Sequence, residues 1–265
     1  MSTSDNAPEI TAPDLGSKHL AAEVRGRVLH LRIDRVERRN AFTQDMYRGL
    51  KRAAVWADGQ RDLDAVCLTG TDRWFGAGGD MAGRGEDPEG LAAEWDPTDH
   101  FPFRHIERCS KLWVASVNGM CVAGGMDLIL HCDVVIASDQ ARFRVPELLR
   151  GIPDAFMAAR LAAVVGLARA KYLFFTAEEF GAEEAAAMGL VGKVVPHDDL
   201  EAATERALEA VARTGPRARA AVKRDINQRL PAPDIAMFLD AIGSPEMTEG
   251  MRAFLDKRAV DWPRT

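Results

Sequence analysis

Residues 112–133 read LWVASVNGMCVAGGMDLILHCD, and the fold turns on how this stretch is parsed. An apolar strand opens it, Asn118-Gly119 breaks it, and residues 120–123 loop into an apolar helix that begins at Gly124-Gly125. One carboxylate, Asp127, sits in that helix's first turn. Two glycines at a helix start leave backbone N–H groups unshielded by side chains. Aided by the helix dipole, such donors suit an oxygen that becomes negative during a reaction. The stretch is a candidate reaction site.

Upstream, DLDAVCLTG is a second buried strand, followed by a glycine loop, WFGAGGD, at residues 74–80. Two glycine loops, each after a strand, can each aim one N–H at the same point and form a two-donor oxyanion hole. One such donor is worth about 3 kcal/mol to a transition state. Nucleotide-binding readings fail on their own terms. GxGxxG from Gly76 needs glycine where Met81 stands, and Met126-Asp127 replaces the Lys-Ser/Thr of a phosphate loop.

Glu147 follows Pro146 in FRVPELLRG, and Asp154 lies in GIPDAF. Taken singly, Glu147 reads as a surface-turn carboxylate and Asp127 as a partner of the helix dipole. Beside an oxyanion hole, two carboxylates supply the acid and base for proton transfers next to a carbonyl; Asp154 is a third candidate. There is no GxSxG, and serine hydrolase chemistry has no support.

Working outward, residues 1–18 lack periodicity and predict a loose tail. EVRGRVLHLRID predicts a hairpin turning at Gly26, and the next helix is expected to carry Phe42, Met46, Leu50 and Ala53 on one face. Residues 81–109 mix Gly, Pro, Asp and aromatics and read as one long irregular segment. From Ala155 onward the pattern predicts helices only. Their last apolar stripes (Met237, Leu239; Met251, Phe254, Leu255) call for burial against something else, another subunit being the natural candidate.

With 265 residues, 47% hydrophobic and 28% charged, the chain can bury a substantial core. No apolar run reaches the roughly 18 residues of a membrane span, and the polar start lacks a signal-peptide core, so a cytoplasmic location is expected. A net charge of -6 argues against general nucleic-acid binding. The four cysteines (Cys67, Cys109, Cys121, Cys132) show no CxxC pair, which predicts buried free thiols; the histidines show no metal-ligand spacing.

At these residues the chain resembles the enoyl-CoA hydratase/isomerase (crotonase) family. RRNAFTQDM is similar to its RPxxxNAL segment, and AVCLTGTDRWFGAGGDM to LTGxGxxFxAGxD. SVNGMCVAGGMDLILHCDVVIASDQARFRVPELLRGIPD resembles the long NGxxxGGG…CD…PE signature. TAEEFGAEEAAAMGLVGKVVP and EGMRAFLDKR match later segments, so the likeness runs through residues 20–262.

The resemblance implies an α/β fold, a crotonase-like spiral of ββα units with a helical C-terminal trimerisation region. The divisions are a tail at 1–18, a core with the active site at 19–200, and helices for oligomerisation and CoA contact at 201–265. It implies a homotrimer or a homohexamer built as a dimer of trimers, acting on an acyl-CoA thioester. Coenzyme A enters as part of the substrate, with no separate cofactor, metal, nucleic acid or membrane partner. By motif position the oxyanion donors are the N–H groups of Gly79 and Gly124, Glu147 falls on the second catalytic glutamate, and Arg39, Ala77, Gly79, Asp80, Phe254 and Lys257 fall where CoA is held.

Three departures bear on the reaction. Asp127 stands where hydratases carry their first glutamate, Ala123 replaces the first glycine of the triple, and bulky Phe156 and Met157 replace small residues at the acyl pocket. The expectation is syn hydration of a 2-enoyl-CoA by Asp127, Glu147 and the two amides, with Asp154 in reserve. The alternatives are a double-bond isomerase, an acyl-CoA thioester hydrolase, and an acyl-CoA-binding protein of weak activity. Residues 81–109, with Trp95, Phe101 and Phe103, are expected to shape the acyl pocket.

Overall fold

A computed structural model describes residues 10–80 and 101–264. The expected hairpin is present. β1 (Leu20–Arg25) pairs antiparallel with β2 (Val28–Ile33), and Gly26 takes the left-handed φ of 57° that its tight turn requires.

β2 runs parallel to β3 (Ala65–Thr69), and from there the chain makes three turns that each leave one strand in each of two sheets. β3, β5 (Leu112–Val117) and β7 (Val134–Ser138) enter the large sheet. β4 (Trp74–Gly76), β6 (Met120–Val122) and β8 (Arg142–Arg144) enter the small one. The helices of these turns are α2 (Phe103–Arg108), α3 (Gly124–His131) and α4 (Ala155–Val165). This is the spiral of ββα units. Because β4, β6 and β8 are parallel neighbours, their carboxyl ends lie side by side. Three loops distant in sequence therefore meet at one end of the small sheet, the usual place for a site in parallel sheets.

The runs AVCLT and LWVASV are almost wholly buried, as expected for parallel strands covered on both faces. On one side they join the main apolar core with the small sheet, α3, α4 and α1 (Gln44–Gly59). On the other, α7 (Leu200–Ala212) lays Leu200, Ala203, Leu208 and Val211 on Ala65, Cys67, Val114 and Ile136.

Several expectations need correction. Phe42 is not on the α1 face. Thr43 caps that helix, its hydroxyl accepting the Met46 N–H at 3.4 Å, and the buried face runs through Met46, Tyr47, Leu50, Ala53, Ala54 and Ala57. Phe42 instead bridges to Gly79. The chain after Ala155 is not all helix. After α5 (Leu167–Thr176), β9 (Phe180–Gly181) extends the small sheet. After α6 (Ala182–Ala187), β10 (Lys193–Val195) adds to β7. Strands of two and three residues are too short to show a period. Part of the segment read as irregular is helix α2, whereas Trp95 and the rest of 81–100 lie outside the described residues, as do residues 1–9. All four cysteines are free, three buried and Cys132 half-buried.

The C-terminal helices are α8 (Pro216–Asn227), α9 (Ile235–Ala241) and α10 (Pro245–Leu255). α8 is anchored by buried ion pairs. Lys223 Nζ donates to Asp133 at 2.7 Å and to the carbonyls of Ile106 and Lys111 at 2.9 and 3.0 Å, while Arg219 pairs with Asp64. α10 finds its apolar partner inside the chain, on the short 3-10 turn Glu147–Arg150. The contact is backbone to backbone: a Cβ on Gly250 would come within 2.5 Å of the Arg150 carbonyl carbon. Met247 and Ala253 are buried there; Phe254 and Leu255 stay about half exposed.

Candidate active site

The two glycine loops sit at the ends of β4 and β6. The Phe42 N–H donates to the Gly78 carbonyl and the Asp80 N–H donates to the Phe42 carbonyl, both at 2.8 Å. Gly79 lies between those bonds, so its own N–H points away from Phe42, and a Cβ placed on it would meet nothing within 4 Å. Gly124 opens α3, where a first-turn N–H has no intrahelical acceptor. The loops touch through their backbones. A Cβ on Gly78 (φ 86°) would collide with Ala123, and one on Gly125 would come within 2.7 Å of the Gly76 carbonyl oxygen. Gly79 and Gly124 both line one cavity of about 700 Å³.

Ala123, just before them, has φ 55° and ψ -125°, a region that suits glycine and strains any residue with a Cβ by about 1–3 kcal/mol. Ala123→Gly is therefore expected to raise unfolding stability by about 1 kcal/mol in urea titration, with the midpoint moving and the slope unchanged.

Asp127, Glu147 and Asp154 converge on the same cavity. Asp127 projects from the first turn of α3, Glu147 follows β8, and Asp154 caps α4, its Oδ1 accepting the Met157 N–H at 2.9 Å. Asp127 and Asp154 are hydrogen-bonded carboxyl to carboxyl, which requires one shared proton. Burial first, then the charge of Asp154 and this bond, then Glu147, push Asp127 well above the ordinary carboxylate range. Burial also raises Asp154, against the pull of the Met157 N–H. Glu147 is pushed up to about 8 by burial and then by Asp154, with Arg150 opposing. Asp127 Oδ1 and Glu147 Oε2 are buried and have no hydrogen-bond partner among the described residues. A fixed shell lies behind α3. The His131 Nδ1–H donates to the Asp127 carbonyl at 2.6 Å, Phe103 stacks on the imidazole, and Glu107 is clamped by Arg160.

The raised carboxyls make stability depend on pH with a definite sign. Between about 4.5 and 8 the folded chain keeps a proton on Glu147 that the unfolded chain has released, so stability falls as pH rises through this window. The shifts of Asp127 and Asp154 act in the same sense. The melting temperature is expected to be highest near about pH 5 and to decline toward about pH 8, a loss on the order of a few kcal/mol, with a shallower slope in Asp127→Asn. Calorimetry across that range checks it.

Of the residues expected to hold CoA, Ala77, Gly79, Arg39 and Phe254 line the cavity. Arg39 lies over the Trp74 ring at 5.2 Å. Asp80 also lines it, but its carboxylate is paired to Arg35 at 2.6 Å. Lys257 is exposed beyond α10 and lies outside this lining. Phe101, Phe103 and Phe156 form an aromatic wall, while Met157 turns into the core. Among the lining residues not singled out from the sequence, two bring polar groups against other parts of the lining. Arg150 stacks on Phe254 at 4.2 Å, and Tyr47 brings its hydroxyl to the Gly124 Cα. Tyr47 was detectable in principle: it is one of only two tyrosines and sits on the buried stripe of α1.

Comparison with known proteins agrees with this geometry. The family model for enoyl-CoA hydratase/isomerase matches residues 23–265. The chain is 30% identical to the mevalonyl-coenzyme A hydratase sidH of Aspergillus fumigatus, over 89% of this chain and 91% of that protein. It is 32% identical to the 2,3-dehydroadipyl-CoA hydratase of Escherichia coli, over 89% and 95%. Among solved structures, an enoyl-CoA hydratase/isomerase from Pseudoalteromonas atlantica superposes with a TM-score of 0.81 at 30% identity, over 93% of this chain and 100% of that one.

Proposed function

Because the chain belongs to the enoyl-CoA hydratase/isomerase family, we propose that Gly79, Gly124, Asp127 and Glu147 carry out syn addition of water to a 2-enoyl-CoA thioester. The chain is an enoyl-CoA hydratase-like enzyme; the residue roles are our reading. The observation that carries them is the convergence of both glycine loops on the cavity that holds two buried carboxyl oxygens without partners among the described residues.

The Gly79 and Gly124 amides polarise the thioester oxygen and stabilise the enolate that forms there. Water between Asp127 and Glu147 adds at carbon 3 and gives up one proton to the carboxyl cluster. Glu147, protonated near neutral pH, delivers a proton to carbon 2. Asp154 keeps the second carboxyl of its pair in the acid form. Coenzyme A takes part only as the substrate's handle, with Arg39, Ala77 and Phe254 along its path. Exposed Val164, Leu167, Tyr172 and Phe175, on α5 and just before it, support assembly as a homotrimer or a dimer of trimers. The cysteines, all free, support a cytoplasmic setting.

Mixing the protein with crotonyl-CoA tests the reading: enoyl-thioester absorbance should disappear without release of free CoA. Thiol release marks a thioester hydrolase instead, and conversion of a 3-enoyl-CoA marks an isomerase. Inactivity of the folded protein on a panel of 2-enoyl-CoA esters sinks the hydratase roles.

A further inference from the structure

The aromatic wall contains one polar tip. Tyr47 stacks on Phe42 at a centroid distance of 5.3 Å and meets Phe101 edge-on at 5.2 Å, so its ring is fixed on three sides by α1, the Phe42 bridge and the segment before α2. Its hydroxyl would clash with a Cβ on Gly124, so it lies against the oxyanion loop, and it lines the same cavity as the three carboxyls. Burial, then Asp127, Asp154 and Glu147, hold the phenol well above its ordinary range, so it is a hydrogen-bond donor at every working pH. On the same cavity, the buried Asp127 Oδ1 and Glu147 Oε2 have no hydrogen-bond partner among the described residues. A fixed phenol donor beside carboxyl oxygens that lack partners is the complement of a hydroxyl or water oxygen, which accepts the phenol's bond and donates its own proton to a carboxyl oxygen.

The geometry points to Tyr47 as a substrate-contacting residue, its phenol donating to the oxygen on carbon 3 of the acyl chain, the water in one direction of reaction and the product hydroxyl in the other. This rests on the hydratase reading above and assigns that site a ligand preference: a 3-hydroxyacyl-CoA over the same ester without the hydroxyl. A site built to bond a hydroxyl rejects the analogue that lacks it, because its own polar groups are left unpaired.

Titration calorimetry with 3-hydroxybutyryl-CoA (both enantiomers) and butyryl-CoA tests it on the wild type and on Tyr47→Phe, which keeps the ring. The wild type is expected to bind one hydroxy enantiomer at least about tenfold tighter than butyryl-CoA. Tyr47→Phe should bring that ratio to within about twofold of unity while butyryl-CoA affinity holds. Its kcat/KM on crotonyl-CoA should fall about tenfold to a hundredfold. A wild type that binds both esters equally overturns the proposal whatever the variant does, as does a ratio unchanged in a folded Tyr47→Phe. A wild type that binds neither ester overturns the hydratase reading together with it.

Discussion

Glu147→Gln is expected to lower kcat for hydration of crotonyl-CoA by about a thousandfold, with KM within a few-fold of wild type. The amide keeps the volume of the carboxyl and its place after β8, but it cannot deliver a proton to carbon 2 or recover one. General acid–base steps of this kind are worth about 10²–10⁴. The glycine amides are untouched, so thioester binding survives and the loss falls on kcat. Stability should move the other way. Glu147 is held to about 8 against its surroundings, so replacing it removes a group whose ionisation favours unfolding above its ordinary range. The variant should be the more thermostable protein at about pH 8. Activity retained to within tenfold would remove Glu147 from the reaction.

Gly125→Ala is expected to cost about a hundredfold in kcat/KM without altering any group that handles protons. Its new Cβ would stand 2.7 Å from the Gly76 carbonyl oxygen and 3.3 Å from the carbonyl carbon, both backbone atoms that cannot swing aside. α3 must retreat from β4, which separates the Gly79 and Gly124 amides. Displacement of about 1 Å in such a constellation costs on the order of a hundredfold, and overpacking adds about 1–3 kcal/mol of instability. Gly59→Ala is the control: at the end of α1 its Cβ would meet nothing within 4 Å, and activity should not change. A Gly125→Ala enzyme with wild-type kcat/KM would show that the contact between the loops does not set the amide geometry.

The strand–loop–helix of residues 112–133 was legible because its punctuation is local: an apolar run, Asn-Gly, then paired glycines before a helix. The glycine loop at 74–80 was legible for the same reason. What ties them together is not local. Gly79, Gly124 and Glu147 are neighbours because β4, β6 and β8 run parallel in one small sheet, and nothing local in such short segments says which of them pair. Strands β9 and β10 escaped detection because they are too short to show a period. The proton shared by Asp127 and Asp154 was invisible for another reason, since Asp154 owes its position to capping α4. Tyr47 was overlooked because on α1 it obeys the apolar spacing of its neighbours, and only the fold shows that its hydroxyl reaches Gly124. Phe42 was misplaced onto that helix because its spacing to Met46 is helical, whereas the helix begins only after its N-cap Thr43, just beyond Phe42.

The clasp of α10 on the 3-10 turn Glu147–Arg150 gives the enzyme a timetable. Both sheets are complete once β10 has emerged at Val195, yet the turn bearing Glu147 is covered only after residues through Leu255 arrive. At ribosomal speeds of about 5–20 residues per second, that interval of roughly 60 residues lasts about 3–12 s. A nascent chain, or one clipped before Met247, has the glycine loops without the helix that packs on the turn bearing Glu147. On the proposed roles, such a chain is expected to hydrate no 2-enoyl-CoA until α10 has docked on the turn.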